Sequence, residues 1–298
     1  MNIFERAKTK GLIFDGAIGT MLIQSGLEGG KVSELWNLEK PEVIKAIHKS
    51  YFDAGSDVVM TNTFGGSPLK LKKTDLHKHT EEINTSAVQL AKEVAGEGKY
   101  VAGDIGPIGE MLQPYGTLSF EEAVDCFMEQ AAYLSKAGAD LFIIETMFDL
   151  NEAQAAIRAA QSVSSLPIFA TLTFQEIQKG FATLMGNRVE EGMKSLLGAG
   201  AVVVGANCTL GSGPMVNLAR EIRKCVDSPV MINPNAGMPE IKGSEISHAE
   251  DRDFFSDNML KIKRLGVEVI GGCCGSTPDY IQSTVEKIRL HNLISSGP

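Results

Sequence analysis

Short apolar runs and longer amphipathic stretches alternate eight times along this chain, and that rhythm restricts the fold more than any other feature. The runs Leu12–Asp15, Asp57–Asn62, Tyr100–Gly103, Leu141–Glu145, Ile168–Leu172, Val202–Ala206, Val230–Asn233 and Val267–Ile270 are expected to be strands. Runs this apolar are buried on both faces, as parallel strands are. Helical periodicity follows each of them, at Pro41–Ala54, Thr80–Ala95, Phe120–Ala137, Leu150–Ser162, Val189–Leu197, Pro214–Cys225, Asp251–Leu265 and Pro278–His291. Ser119 stands three residues before Glu122, the spacing of a capping box. Thr277-Pro278 places a cap before a proline at the first helical position. Ala54-Gly55, Ala137-Gly138, Ala199-Gly200 and Leu265-Gly266 read as helix stops. Eight βα units in 298 residues predict an α/β protein, a single (β/α)8 TIM barrel, with residues 1–298 as one domain. An open doubly wound sheet is the alternative, and eight units exceed what such sheets usually need.

Barrels of this kind place their chemistry at the C-terminal ends of the strands. Polar and glycine-rich material gathers there, and three cysteines with it. Cys208 closes the sixth apolar run, while Cys273 and Cys274 sit among the glycines after the eighth, in Gly271-Gly272-Cys273-Cys274-Gly275. Ends of strands six and eight face the same mouth, so these thiols can converge. Neighbouring side chains on a regular strand point to opposite faces, and the flanking glycines allow the bend that two adjacent ligands require. Three unliganded cysteines would be the plain alternative, and a disulfide between neighbours would be strained. Zn²⁺ suits such a trio because it accepts thiolates in a tetrahedral shell and can keep a fourth position open. Three thiolates leave it a weak Lewis acid, better suited to activating a substrate thiol for alkyl transfer than to polarising a carbonyl. The loop Asp15-Gly16-Ala17-Ile18-Gly19-Thr20 offers backbone N–H groups for a carboxylate. It reads equally as a tight turn. Glu145, at the end of an apolar strand, could meet an ammonium or simply bond to a neighbouring loop. Anion nest, carboxylate and thiol-binding metal together describe a thiol-containing amino acid.

Other classes find little support. A net charge of −9 argues against a general nucleic-acid surface. No apolar run approaches the ~20 residues that cross a bilayer, and the first residues lack a signal-peptide stretch; a cytoplasmic protein is expected. Five cysteines in a chain this long make no disulfide framework, and Cys126 and Cys225 fall in helical patterns as packing residues. None of the five histidines stands at the end of a predicted barrel strand. The glycine pairs form neither a dinucleotide fingerprint nor a phosphate loop.

Over nearly its whole length the sequence resembles the homocysteine S-methyltransferase family. The likeness is carried by Phe14-Asp15-Gly16-Ala17 with Gly19-Thr20, Thr61-Asn62-Thr63-Phe64, Gly103-Asp104-Ile105-Gly106-Pro107, Glu145-Thr146, Gly205-Ala206-Asn207-Cys208, Pro234-Asn235-Ala236-Gly237 and Gly271-Gly272-Cys273-Cys274-Gly275. It implies a barrel whose zinc ligands are Cys208, Cys273 and Cys274. It also implies that Asp15, Gly19, Thr20 and Glu145 hold the amino-acid end of homocysteine, with Asn235 near the metal's fourth position. The implied reaction is zinc-dependent methyl transfer to the homocysteine thiolate, giving methionine. Thr61-Asn62-Thr63-Phe64-Gly65 followed by Lys70-Leu71-Lys72 looks most like the branch served by a methylated corrinoid protein. S-methylmethionine as donor, or a corrinoid-linked transfer from another substrate, are the alternatives. A betaine donor would need an aromatic cage; Gly65 and Thr146 stand where that branch has tyrosines, and Trp36 alone is a poor cage.

Overall fold

Eight parallel strands form one ring in the computed structural model, which describes residues 2–242 and 245–295. Barrel elements are numbered here apart from the accessory segments. The strands are β1 (Leu12–Ile13), β2 (Val58–Met60), β3 (Tyr100–Ile105), β4 (Leu141–Met147), β5 (Ile168–Leu172), β6 (Val203–Gly211), β7 (Val230–Asn235) and β8 (Val269–Ile270). Each pairs in parallel with its neighbours in sequence, and β8 pairs with β1. A parallel bridge between Phe14 and Val58 joins β1 to β2 and closes the ring. The expected barrel is therefore the observed one. The helices are α1 (Pro41–Asp53), α2 (Thr80–Val94), α3 (Phe120–Lys136), α4 (Leu150–Val163), α5 (Val189–Ala199), α6 (Ser212–Cys225), α7 (Arg252–Arg264) and α8 (Pro278–Ser295). Ser119 and Glu122 form the capping box on α3. The glycines after α1, α3, α5 and α7 all have positive φ, between 84° and 113°.

The lumen is apolar at its closed end and polar at its open end. Phe14, Met60, Ile143, Phe169, Met231 and Val269 meet inside the ring, with the Phe14 and Phe169 rings 6.0 Å apart. A helix absent from the sequence-based expectation, Ile3–Lys10, plugs the closed end with Ile3 and Ala7. Its first turn is capped by Asn2, and Arg6 reaches Asp57 at 2.5 Å. Side chains alternate along a strand, so the inward positions continue from Ala102 to Asp104, Ile143 to Glu145, Phe169 to Thr171, Val203 to Asn207 and Met231 to Asn233. All of these polar residues are buried. The top of the lumen has given up hydrophobic packing for polar groups, and that change marks the site.

Several loops carry structure that apolar periodicity does not reveal. Helices Ile18–Gln24, Trp36–Glu39 and Pro68–Lys72 and two antiparallel strand pairs, Gln175–Glu176 with Phe181–Ala182 and Pro239–Lys242 with Glu245–His248, all lie on the mouth side. Among the described residues no helix is long and apolar enough to cross a membrane.

Candidate functional site

Two strand ends bend out of register to make the site. The β4–β5 register shifts between Ile144 and Met147, and the β6–β7 register between Asn207 and Gly211. Thr146, Cys208 and Thr209 there have φ of 62°, 58° and 64°. Left-handed backbone at non-glycine residues costs on the order of 1–3 kcal/mol each and persists only where the surroundings enforce it. At Cys208 the distortion turns the thiol toward the loop after β8. That loop is irregular from Gly271 onward, as two adjacent ligands require. Cys273 N donates to Pro234 O at 2.7 Å, Ala236 N to Cys274 O at 2.9 Å and Gly275 N to Thr20 Oγ1 at 3.1 Å. Tyr51, buried on α1, donates its hydroxyl to Ser276 O at 3.0 Å. A Cβ on Gly272 would run into Ser276 Oγ, so only glycine permits this packing.

Cys208, Cys273 and Cys274 are thereby brought together, with all three sulfurs within 4.8 Å of one another. Cys208 Sγ and Cys274 Sγ are 3.9 Å apart. Tetrahedral bonds of about 2.3 Å to zinc would separate two sulfurs by about 3.8 Å, so the donor set fits a metal. The trio's own protons say the same. Hydrogen bonds from Cys273 and Cys274 draw the Cys208 thiol down to about 3. Those bonds, together with burial and the neighbouring charge, hold Cys273 well above the usual thiol range and push Cys274 up to about 12. Three thiolates held this close repel one another and need a cation among them. Cys126 and Cys225 lie elsewhere as packing residues. Cys126 is buried, and burial pushes its thiol up to about 11.

Beside the sulfurs stand three buried carboxylates. Asp15 Oδ2 accepts from Met60 N at 3.0 Å, and its Oδ1 has no partner among the described residues. Burial, and then the charge of Glu145, hold Asp15 well above the usual carboxylate range. Burial and the Cys208 thiolate push Glu145 up to about 8. Asp104 was not among the residues expected in the site, although it lies within a motif that carries the resemblance. Burial raises it as well, with Glu145, Asp15 and Glu34 adding to the effect, and its Oδ1 is also unpartnered. Its signal in the sequence was its inward parity two residues after Ala102. Two of these three buried carboxyl groups, Asp15 and Asp104, keep an oxygen without a partner among the described residues, and together the three line a place suited to a cation.

The other expected residues fall around this place. Gly19 lies in the first turn of Ile18–Gln24, where a Cβ would meet nothing within 4 Å. Thr20 is next to it and accepts from the cysteine loop. The loop expected to form an anion nest is thus the entry to a short helix. Asn235, near Cys208, keeps Oδ1 buried and unpartnered, as does the whole carboxamide of Asn233. Asn207 connects the two halves. Its Nδ2 donates to Thr146 Oγ1 at 2.7 Å and Glu145 Oε2 at 3.1 Å and lies 4.0 Å from Cys273 Sγ. Its Oδ1 accepts from Thr146 N at 2.9 Å and Thr171 Oγ1 at 2.7 Å. Trp36 is a packing residue, 6% exposed, with Lys40 Nζ 4.0 Å from its ring centre.

Comparison with known proteins agrees with this geometry. Residues 12–288 match the family model of homocysteine S-methyltransferase. Methionine synthase from Mycobacterium leprae (strain TN) is 28% identical over 311 residues, covering 98% of this chain. The chain spans 25% of the length of that curated relative. Two solved structures of the homocysteine methyltransferase MmuM from Escherichia coli, the metallated and apo forms, share the fold with TM-scores of 0.79 and 0.73. Both are 21% identical to this chain, and the alignments cover 94% and 96% of it and 97% and 98% of those chains.

Proposed function

The chain belongs to the homocysteine S-methyltransferase family, and on that premise we propose that it methylates the thiolate of L-homocysteine to give methionine, with zinc as its metal and a methylated corrinoid protein as donor. The observation that carries the reading is the convergence of three sulfurs within 4.8 Å beside three buried carboxylates. Cys208, Cys273 and Cys274 would hold the zinc. When bound, its charge would keep an incoming thiol in the thiolate form at neutral pH, whereas a free thiol with a pKa near ~8.5 is mostly protonated there.

The chain's own residues do the rest. Asp15 and Glu145, with Asp104 behind them, hold the substrate ammonium, which relieves their mutual repulsion. Gly19 and Thr20 present the first turn of a helix to the substrate carboxylate. Asn235 faces the sulfur end. A substrate gripped at its amino-acid end and its sulfur cannot rotate, and such positioning removes much of the entropic barrier to methyl transfer. The thiolate attacks the methyl carbon in line, a C–S bond forms, and the departing donor keeps the pair of electrons it shared with the methyl group.

A macromolecular donor agrees with the rim of the mouth. Tyr115, Leu184 and Met238 are 74%, 64% and 62% exposed on the loops after β3, β5 and β7, and Phe254 joins them at the start of α7. A protein docked over the mouth would cover these side chains. The test is a side-by-side assay of zinc-loaded protein with homocysteine and either methylcobalamin or S-methylmethionine. Methionine from methylcobalamin supports the reading. Methionine from S-methylmethionine alone replaces the donor, and none from either, without homocysteine binding, removes the substrate.

A further inference from the structure

Asn207 is buried within β6, on the same inward face as the apolar Val203, and every hydrogen-bonding site of its carboxamide is engaged. The orientation of that amide is fixed by its partners. Thr146 N is a donor, so the atom facing it is Oδ1, and Nδ2 faces Thr146 Oγ1, Glu145 Oε2 and, at the longer distance of 4.0 Å, Cys273 Sγ. The two oxygen-side bonds are enough to hold the backbone: they anchor Thr146 in its left-handed conformation and tie β6 to β5 through Thr171. An aspartate would make both of them. The nitrogen side has a different audience. It donates to the carboxylate placed to receive the substrate ammonium and approaches a sulfur of the trio, while Cys208 is the next residue along the chain.

We propose that Asn207 is a positioning residue whose N–H side locks Glu145 and the Cys273 sulfur into one unit, so that the grips on the two ends of the substrate move together. This inference rests on the homocysteine reading for the identity of that substrate. By donating to Glu145, Nδ2 aims the carboxylate's other oxygen toward the mouth. Its 4.0 Å approach to Cys273 Sγ places an N–H dipole beside one sulfur of the trio and limits where that sulfur can move. Neither effect is needed for folding, because the oxygen side alone supports the bent strand ends.

The test compares parent, Asn207→Asp and Thr171→Val proteins, each loaded with zinc or with Co²⁺ as a spectroscopic substitute. Metal content, the homocysteine dissociation constant by calorimetry and the thiolate-to-cobalt absorption band are measured. Asn207→Asp keeps the acceptor side, loses the donor and sets a second carboxylate against Glu145. It should fold and bind metal, weaken homocysteine by about 10-fold to 100-fold, and shift the cobalt band before any homocysteine is added. Thr171→Val removes one bond that holds the carboxamide and touches neither Glu145 nor a cysteine. It should move both readouts the same way by a smaller amount, and it decides the matter if the aspartate variant fails to fold. An unchanged band and an unchanged dissociation constant in a folded variant overturn the role assigned to Asn207. Failure of the parent protein itself to bind homocysteine would instead overturn the substrate, and the cobalt band would still read the link to Cys273.

Discussion

Replacing Asp15 with asparagine should separate binding from folding, because the two respond with opposite signs. The Oδ2 that accepts from Met60 N has an equivalent in the asparagine amide, so the backbone contact at 3.0 Å survives. The unpartnered Oδ1 becomes an NH₂ group. Toward an ammonium this removes a charged acceptor and installs a donor in its place. A hydrogen bond to a charged group contributes roughly 1.5–3 kcal/mol, so homocysteine should bind about 10-fold to 150-fold more weakly at 25 °C. Toward folding, the substitution removes one of three carboxylates that repel one another in a buried space. Asp15 is held above the usual carboxylate range by burial first and by Glu145 next; a raised carboxylate pKa means stability present below the unfolded value and lost as pH rises through the folded one. The neutral variant escapes that loss, so without substrate its melting temperature at pH 7–8 should equal or exceed that of the parent. Calorimetric titration of zinc-loaded protein with homocysteine, paired with melts monitored by circular dichroism, reads both quantities. Undiminished affinity, or a melt several degrees lower in the ligand-free variant, would refute the assignment of Asp15 to the ammonium.

Other expectations are independent of that one. Cys208→Ala, Cys273→Ala and Cys274→Ala should each lower bound zinc from roughly one per chain to near none, as read by elemental analysis, with the fold retained by circular dichroism. His48 is fully buried on α1, and neither ring nitrogen has a hydrogen-bond partner among the described residues. Burial pushes it down to about 4, so its contribution to stability is present above pH 6.5 and lost as pH falls toward 4; urea unfolding should show His48→Leu gaining about 2 kcal/mol on the parent between pH 7 and pH 4.5. Gly205 lies on β6 where a Cβ would strike the carbonyl oxygen of Met231. Gly205→Ala should therefore destabilise the barrel by about 3 kcal/mol or more, seen as a lower denaturant midpoint with or without zinc.

The barrel was legible because its strands are apolar on both faces and four of its helices end in glycine, both local consequences of burial and backbone geometry. Legibility stopped where strands turn polar. β6 runs on to Gly211, five residues beyond the apolar run, because Asn207 and Cys208 carry the site instead of the core. The three sulfurs and Glu145 were found because their residue types announce their chemistry. Asp104 and Asn207 were harder, since each looks like an ordinary polar residue at a strand end until the inward parity of its strand is followed. His48 sits on the same helical face as Ile44, Ile47 and Tyr51, all buried; only the packing reveals that the imidazole is enclosed. The helix Ile3–Lys10 has a weak apolar pattern, and its role depends on the ring that it plugs.

The strands of the ring are paired over unequal lengths. A single bridge, Phe14 to Val58, links β1 and β2, while five residue pairs bind β6 to β7. The carboxylate of Asp15 stitches across that seam by accepting from Met60 N. On the proposed reading the amino acid would lie against this briefly paired seam, and the sulfur end beside the longest paired arc. A cation seated there would face the one carboxylate that spans both strands.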